Sequence, residues 1–254
     1  MTKPLEVIPN LIAHRGYSGK YPENTLLAYE AAYEHGARLF ELDIQLSADR
    51  VPFLHHDRTL KRMAADERVF TQTKAKQVKS LAAAYPTRFA DKFKDNRFTT
   101  FKKFCKWLSQ DPACLTFVEI KQESIDAFGI PVVVDEVLRR IHAVAVESQV
   151  IIISFNHQVL EYVCKVSSLS CGWVLPEWDQ QHRAIATQLN PEYLFSGVDI
   201  LPPSNEEIWQ GSWQWALYNL DDVDSALSMI DRGFRWLETN EIGTLMASEK
   251  LNPR

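Results

Sequence analysis

Several absences bound what this chain can be. Lysine and arginine number 28 against 33 aspartates and glutamates, and the formal charge of −5 argues against the basic footprint of a nucleic-acid-binding surface. An anionic ligand must therefore be met by local cations or a metal and not by the field of the whole protein. No apolar run approaches membrane-spanning length; the longest strong one is Val150-Ile151-Ile152-Ile153, so no membrane span is expected. Cys105, Cys114, Cys164 and Cys171 show no Cys-x-x-Cys spacing, which speaks against a zinc knuckle or a disulfide framework and leaves them as small core residues. Met1 to Asn10 carries one lysine and two prolines but no apolar signal region, so a cytoplasmic location is expected. No Gly-x-Gly-x-x-Gly follows the first strand-like segment, which weakens a dinucleotide-binding reading.

What is present alternates. The 254 residues are 46% hydrophobic and 24% charged, ordinary for a soluble globular protein with chain enough for one barrel or two smaller domains. Leu11-Ile12-Ala13 reads as a short buried strand that runs into His14-Arg15-Gly16. A helix is expected over 25–35, with Asn24 as N-cap, Leu26, Tyr29 and Tyr33 on one face and Gly36 at its end. The strand Phe40-Glu41-Leu42-Asp43-Ile44 follows, then an apolar strand over 51–54 that ends at His55-His56-Asp57. From Arg58 to Asn96 the sequence is polar and alanine-rich and reads as an excursion of short helices. Thr100 can cap a helix with Phe101, Phe104, Cys105 and Leu108 at helical spacing; its Lys102, Lys103 and Lys106 are a solvated face. Further strands are expected over 115–121, 150–155, 171–175, 193–195, 215–218 and 234–237, with helices over 132–145, 158–166, 182–189 and 223–231.

This order suits either an open doubly wound sheet or a TIM (β/α)8 barrel with a small helical insertion, about 58–97, after the second strand. The polar residues favour the barrel. Glu41 and Asp43 sit two apart, so in a strand they share one face, as Glu119 and Lys121 do. A solvated strand face would be the ordinary reading of one such pair. Here His14, Glu41, Asp43, His56, Glu119 and Lys121 all fall at or near strand ends, and in a barrel those ends converge on the C-terminal mouth. His55 adjoins His56, but alternation turns it to the opposite face.

The types gathered there point to a chemistry. A side-by-side carboxylate pair raises at least one pKa unless a cation compensates. Three carboxylates without sulfur make a hard, oxygen-lined site suited to Mg²⁺ or Ca²⁺. Arg15 offers a planar fork for phosphate oxygens and Lys121 a point charge. With two histidines to take and give protons, these groups match what cleavage of a phosphodiester requires.

The same residues carry a family resemblance. His14-Arg15-Gly16, Pro22-Glu23-Asn24-Thr25, Glu41-x-Asp43, His56-Asp57, Glu119-x-Lys121 and Ile153-Ser154-Phe155-Asn156-His157, in this order, resemble the glycerophosphodiester phosphodiesterase family over nearly the whole chain. The resemblance implies a TIM barrel and hydrolysis of a small-molecule glycerophosphodiester to sn-glycerol 3-phosphate and an alcohol, whether by water or through a cyclic phosphate. It implies Glu41, Asp43 and Glu119 as ligands of a divalent cation, Mg²⁺ or Ca²⁺, and His14 and His56 as acid and base, with His56 alternatively near the metal. Arg15 and Lys121 would hold the phosphate, and Glu23 and Asn24 would support His14 and Arg15 from behind. A lysophospholipase D, using Phe70, Tyr85, Phe89 and Phe93 as an apolar groove, and a phosphoryl-ligand-binding barrel without turnover are the alternatives. The family's Trp-Thr-Val-Asn and Thr-Asp-x-Pro segments are replaced by Ala216-Leu217-Tyr218-Asn219 and Glu238-Thr239-Asn240, with Trp213 and Trp215 the nearest indoles.

Overall fold

Parallel strands buried on both faces must be apolar on both, and most strands here are. The computed structural model describes residues 8–252, so the signal-free reading of Met1 to Asn10 lies largely outside it. The strands are β1 (Asn10–His14), β2 (Leu39–Leu46), β3 (Pro52–Leu54), β4 (Leu115–Ile120), β5 (Val150–Ser154), β6 (Cys171–Val174), β7 (Tyr193–Gly197), β8 (Gln214–Tyr218) and β9 (Trp236–Thr239). All but β3 pair in parallel in the order β1-β2-β4-β5-β6-β7-β8-β9, and β9 returns to β1, closing an eight-stranded barrel. The short β3 runs antiparallel along β2, lies outside the barrel and leads into the excursion.

Alternation sorts the side chains into two layers. Phe40, Leu42, Ile44 and Leu46 of β2 point outward into a core shared with the surrounding helices. Ile12, Phe117, Ile151, Ile153, Val174, Tyr193, Phe195 and Ala216 fill the barrel interior. The helices that cover it are α1 (Leu26–Glu34), then α2 (Lys61–Ala64), α3 (Ala75–Ser80) and α4 (Pro86–Phe89) in the excursion, and α5 (Phe101–Leu108), α6 (Gln122–Phe128), α7 (Ile130–His142), α8 (His157–Val166), α9 (Gln180–Leu189), α10 (Val223–Asp231) and α11 (Ile242–Met246). Thr100 caps α5 by accepting from the Lys103 amide, and Phe101, Phe104, Cys105 and Leu108 are its buried face, as the spacing predicts.

Three expectations need correction. Thr25, not Asn24, caps α1, because Asn24 turns inward with a left-handed backbone and spends its amide elsewhere. A separate helix, α6, occupies 122–128 ahead of α7, the break falling at Gly129 with φ +80°. The last strand begins at Trp236 and not at Phe234, which packs in the outer core. The excursion's aromatics pack as a satellite core: Phe70 is buried against Phe53 and His55, while Tyr85, Phe89 and Phe93 stack edge to face on one another. No helix is long and apolar enough to cross a membrane among the described residues.

The turn after β1 is set by Gly16, which has φ +81° and would place a Cβ 2.7 Å from the Ala28 carbonyl carbon. Arg15 before it is left-handed too. Gly16→Ala is expected to destabilise the fold by about 1–3 kcal/mol, read as a lowered urea midpoint; an unchanged midpoint would show that α1 can yield.

Candidate active site

Register brings the polar residues together. In β1 and β2, His14 pairs with Glu41; in β2 and β4, Asp43 pairs with Glu119. Neighbouring parallel strands lie about 4.8 Å apart, so paired inward side chains must touch. The resulting cavity, about 170 Å³, is lined by His14, Arg15, Glu41, His56, Glu119, Lys121 and Glu238 on one side and by Ile153, Phe155, Val174, Phe195 and Tyr218 on the other. One half of the mouth, from β9 through β1 and β2 to β4, is charged; the other, from β5 to β8, is mainly apolar.

Asp43 lies at the floor of the charged half. It is fully buried, with Arg15 Nε 2.9 Å from one carboxylate oxygen and Lys121 Nζ 3.4 Å from the other. Asn24 donates to Asp43 Oδ2 at 2.8 Å, while its own oxygen accepts from the Asp43 amide and from Tyr29 Oη. Burial alone would raise the Asp43 carboxyl, but Arg15 and then Lys121 outweigh it and hold the group well below the usual carboxylate range. Glu119 is 2.8 Å from Lys121 Nζ, yet burial and the nearby Asp43 push it up. Burial, then Asp43 and Glu238, push Glu41 well above its ordinary range. Two cations thus leave a surplus of negative charge.

The imidazoles are oriented by their second nitrogens. Asp221 accepts from Asn240 Nδ2 at 2.9 Å, which turns Asn240 Oδ1 toward His14 Nδ1, also at 2.9 Å. His14 must therefore carry its proton on Nδ1 and offer the Nε2 lone pair to the cavity. Burial first, and Arg15 beside it, lower His14 to about 3, so the ring is neutral. His56 stands at the rim with Nδ1 2.9 Å from Asp57 Oδ1, and Arg62 clamps Asp57 at 2.7 and 2.8 Å. Gln45, on the same β2 face as Glu41 and Asp43, donates to the carbonyls of His56 and Asp57 and fixes that loop. Glu23 sits behind, joined to Arg15 and Arg62. His55 is turned away, stacked on Phe70.

The proposed site residues meet, then, and Trp213 and Trp215, the indoles nearest the altered C-terminal segment, do not join them. Those pack outside the barrel in a cluster where Trp209 stacks on Trp178 at 4.1 Å, and Tyr218 and Asn219 take the corresponding wall of the cavity. Glu238, Gln45, Asn240 and Asp221 were missed. Alternation from a correctly placed β9 would have found Glu238, which shares the inward face with Trp236; the Asp221 contact joins residues whose spacing carries no motif.

Donor atoms of Glu41, Asp43 and Glu119 lie within 4.8 Å of one another, as do those of His14, Glu41 and Glu238. Asp43 Oδ1 is buried and accepts no hydrogen bond, so a hard divalent cation fits the first set.

A barrel with such a mouth defines a (β/α)8 enzyme with an acidic, oxygen-rich centre. The profile of the Glycerophosphoryl diester phosphodiesterase family matches residues 14–244. A glycerophosphodiester phosphodiesterase of Caldanaerobacter subterraneus subsp. tengcongensis is 30% identical over 243 residues, covering 93% of this chain and 96% of the relative. A phosphodiesterase of Oleispira antarctica, solved in complex with the product sn-glycerol-3-phosphate, has a TM-score of 0.79 at 18% identity over 93% of this chain and 94% of that one. A glycerophosphodiester phosphodiesterase of Agrobacterium tumefaciens gives 0.74 at 18% identity over 95% and 100%. The chain belongs to the glycerophosphodiester phosphodiesterase family and is an enzyme of that kind.

Glu23 generates a pH prediction. Burial would raise it, but the Arg62 hydrogen bonds and the Arg15 charge hold it at about 2, against 4.5 for the free group. A depressed folded pKa stabilises above the unfolded value, and that contribution disappears as pH falls from about 4.5 toward 2. Its size is on the order of 3 kcal/mol. Glu23→Gln should lower stability at pH 7 and flatten this acid limb in denaturant titrations; parallel pH profiles of parent and variant would refute the assignment.

Proposed function

We propose that this chain acts as one barrel domain, with 58–97 as an insertion, and hydrolyses small deacylated glycerophosphodiesters to sn-glycerol 3-phosphate and an alcohol. The observation that carries the reading is the pairing of His14 with Glu41 and of Asp43 with Glu119 by barrel register. In it, Glu41, Asp43 and Glu119 would hold a divalent cation, Mg²⁺ or Ca²⁺, which when bound supplies charge stabilisation to the phosphoryl oxygens.

The protein's own groups do the rest. Arg15 and Lys121, each tethered to Asp43, present fixed positive charge to the phosphate and need no reorganisation when negative charge develops. His14, neutral with a free Nε2, takes the proton from the attacking oxygen. His56, backed by Asp57, gives one to the leaving alkoxide. Glu23 and Asn24 hold Arg15 and Asp43 in place. Ile153, Val174, Phe195 and Tyr218 offer an apolar wall to the substrate's carbon atoms. A cavity of about 170 Å³ suits a glycerophosphate moiety, and an acyl chain would have to leave it past the exposed Phe155. The product named with the Oleispira antarctica relative agrees with that size.

Release of glycerol 3-phosphate from glycerophosphocholine and glycerophosphoethanolamine, and of lysophosphatidate from a lysophospholipid, with Mg²⁺, Ca²⁺ or chelator, tests reaction, substrate class and metal together. Preferential turnover of the lysophospholipid would replace this reading by a lysophospholipase D. His14→Ala and His56→Ala should each lower turnover by roughly 10²–10⁴-fold; if both keep most of the parental rate, the acid–base scheme is wrong. Chelation should lower the melting temperature of the parent but barely that of Glu41→Gln, and an equal response would remove Glu41 from the metal site.

A further inference from the structure

Glu238 is the one carboxylate of the cavity that the proposed reaction does not use. It projects from β9 into the charged half of the mouth and is 3% exposed. Among the described residues its carboxylate accepts no hydrogen bond and pairs with no lysine or arginine. Its close contact is His14 Nε2, 3.3 Å from Glu238 Oε1, and Glu41 Oε2 lies 3.8 Å from the same nitrogen. Because the Asp221 and Asn240 contacts place the His14 proton on Nδ1, Nε2 meets these oxygens with a lone pair. Glu41 Oε2 also accepts from the Arg15 amide at 3.2 Å, but among the described residues no N–H group of the protein serves the short gap between His14 Nε2 and Glu238 Oε1.

An imidazole whose far N–H is tied to a polar partner, converging with two buried carboxylates, is how proteins present a borderline divalent ion. The donor set differs from the neighbouring one in including nitrogen, which shifts preference from Mg²⁺ and Ca²⁺ toward ions such as Zn²⁺. Glu41 belongs to both sets, and carboxylate-sharing ion pairs about 3.5–4 Å apart are a known arrangement.

We propose that His14 Nε2, Glu41 and Glu238 form a second, Zn²⁺-class cation site whose occupation blocks the enzyme by taking the lone pair of His14. The blocking role rests on the assignment of His14 as base; the binding itself does not. Saturation of the first site by Mg²⁺ leaves His14 free, whereas Zn²⁺ added on top occupies the second donor set. The alkoxide or water to be activated then finds no base.

Equilibrium dialysis of the Mg²⁺-saturated protein against micromolar Zn²⁺, without substrate, measures the binding alone. The parent is expected to take up one Zn²⁺ with its Mg²⁺ retained, and both Glu238→Gln and His14→Gln to bind Zn²⁺ at least tenfold more weakly, with melting curves confirming that the variants are folded. Retained tight binding in either folded variant, or displacement of Mg²⁺ without extra uptake, overturns the site. In the glycerophosphodiesterase assay the parent should lose activity as Zn²⁺ rises at fixed Mg²⁺, with the half-inhibitory concentration moved up at least tenfold in Glu238→Gln. The same inhibition curve in both overturns the blocking role. Absence of any turnover in the parent at all Mg²⁺ concentrations would instead count against the proposed function, while the dialysis result would still stand or fall by itself.

Discussion

The burial of Asp43 between Arg15 and Lys121 is the contact on which the mouth of the barrel depends. A carboxylate removed from water costs several kcal/mol unless opposite charge and hydrogen bonds replace its solvent. Here a guanidinium, an ammonium and the Asn24 amide do so. The same contacts fix two neighbours: Arg15 is held in a left-handed turn against Gly16, and Lys121 is held where β4 passes into α6. Through Asn24 and Tyr29 the network reaches α1, and through Glu23 and Arg62 it reaches Asp57, beside His56, and the excursion that follows. One buried charge thus organises groups from four separate segments.

The rigidity for this comes from outside the site. The residues that alternate with Glu41 and Asp43, namely Phe40, Leu42 and Ile44, are fully buried beneath α1, α5 and their neighbours. Phe40 meets Tyr29 and Trp107 edge on, and Trp107 meets Phe104. A strand locked on its outer face cannot slip by one residue without exchanging this core for the charges. The acidic cluster therefore stays in register although its members repel one another, and the burial that raises Glu41 and Glu119, with the neighbouring carboxylates adding to it, is maintained by packing elsewhere.

The division of the mouth follows from which strands carry polar inward residues near their C-terminal ends. On β5, β6 and β7 those positions are Ile153, Val174 and Phe195; on β1, β2, β4 and β9 they are His14, Asp43, Glu119 and Glu238. A phosphodiester with a small carbon skeleton has the same two-sided character, an anionic group to be met by cations and carbons to be placed against apolar walls.

Much of this is local and therefore written in the chain. The period-two placement of Glu41 and Asp43, the strand and helix alternation, the Thr100 cap and the turning away of His55 are consequences of bonds between near neighbours, and the sequence by itself determined them. The family membership is equally legible, because its motifs are short and linear. What lay beyond the sequence was set by closure. The β1 and β9 pairing brings Glu238 against His14 across more than two hundred residues, and the Asp221, Asn240 and His14 chain fixes a tautomer from three segments. The start of β9 could not be placed by pattern, since Phe234 and Trp236 are both apolar and only the register with β1 distinguishes them. Tertiary structure decided these points because a barrel's mouth is made of strand ends, and which ends meet depends on pairing and not on any local preference.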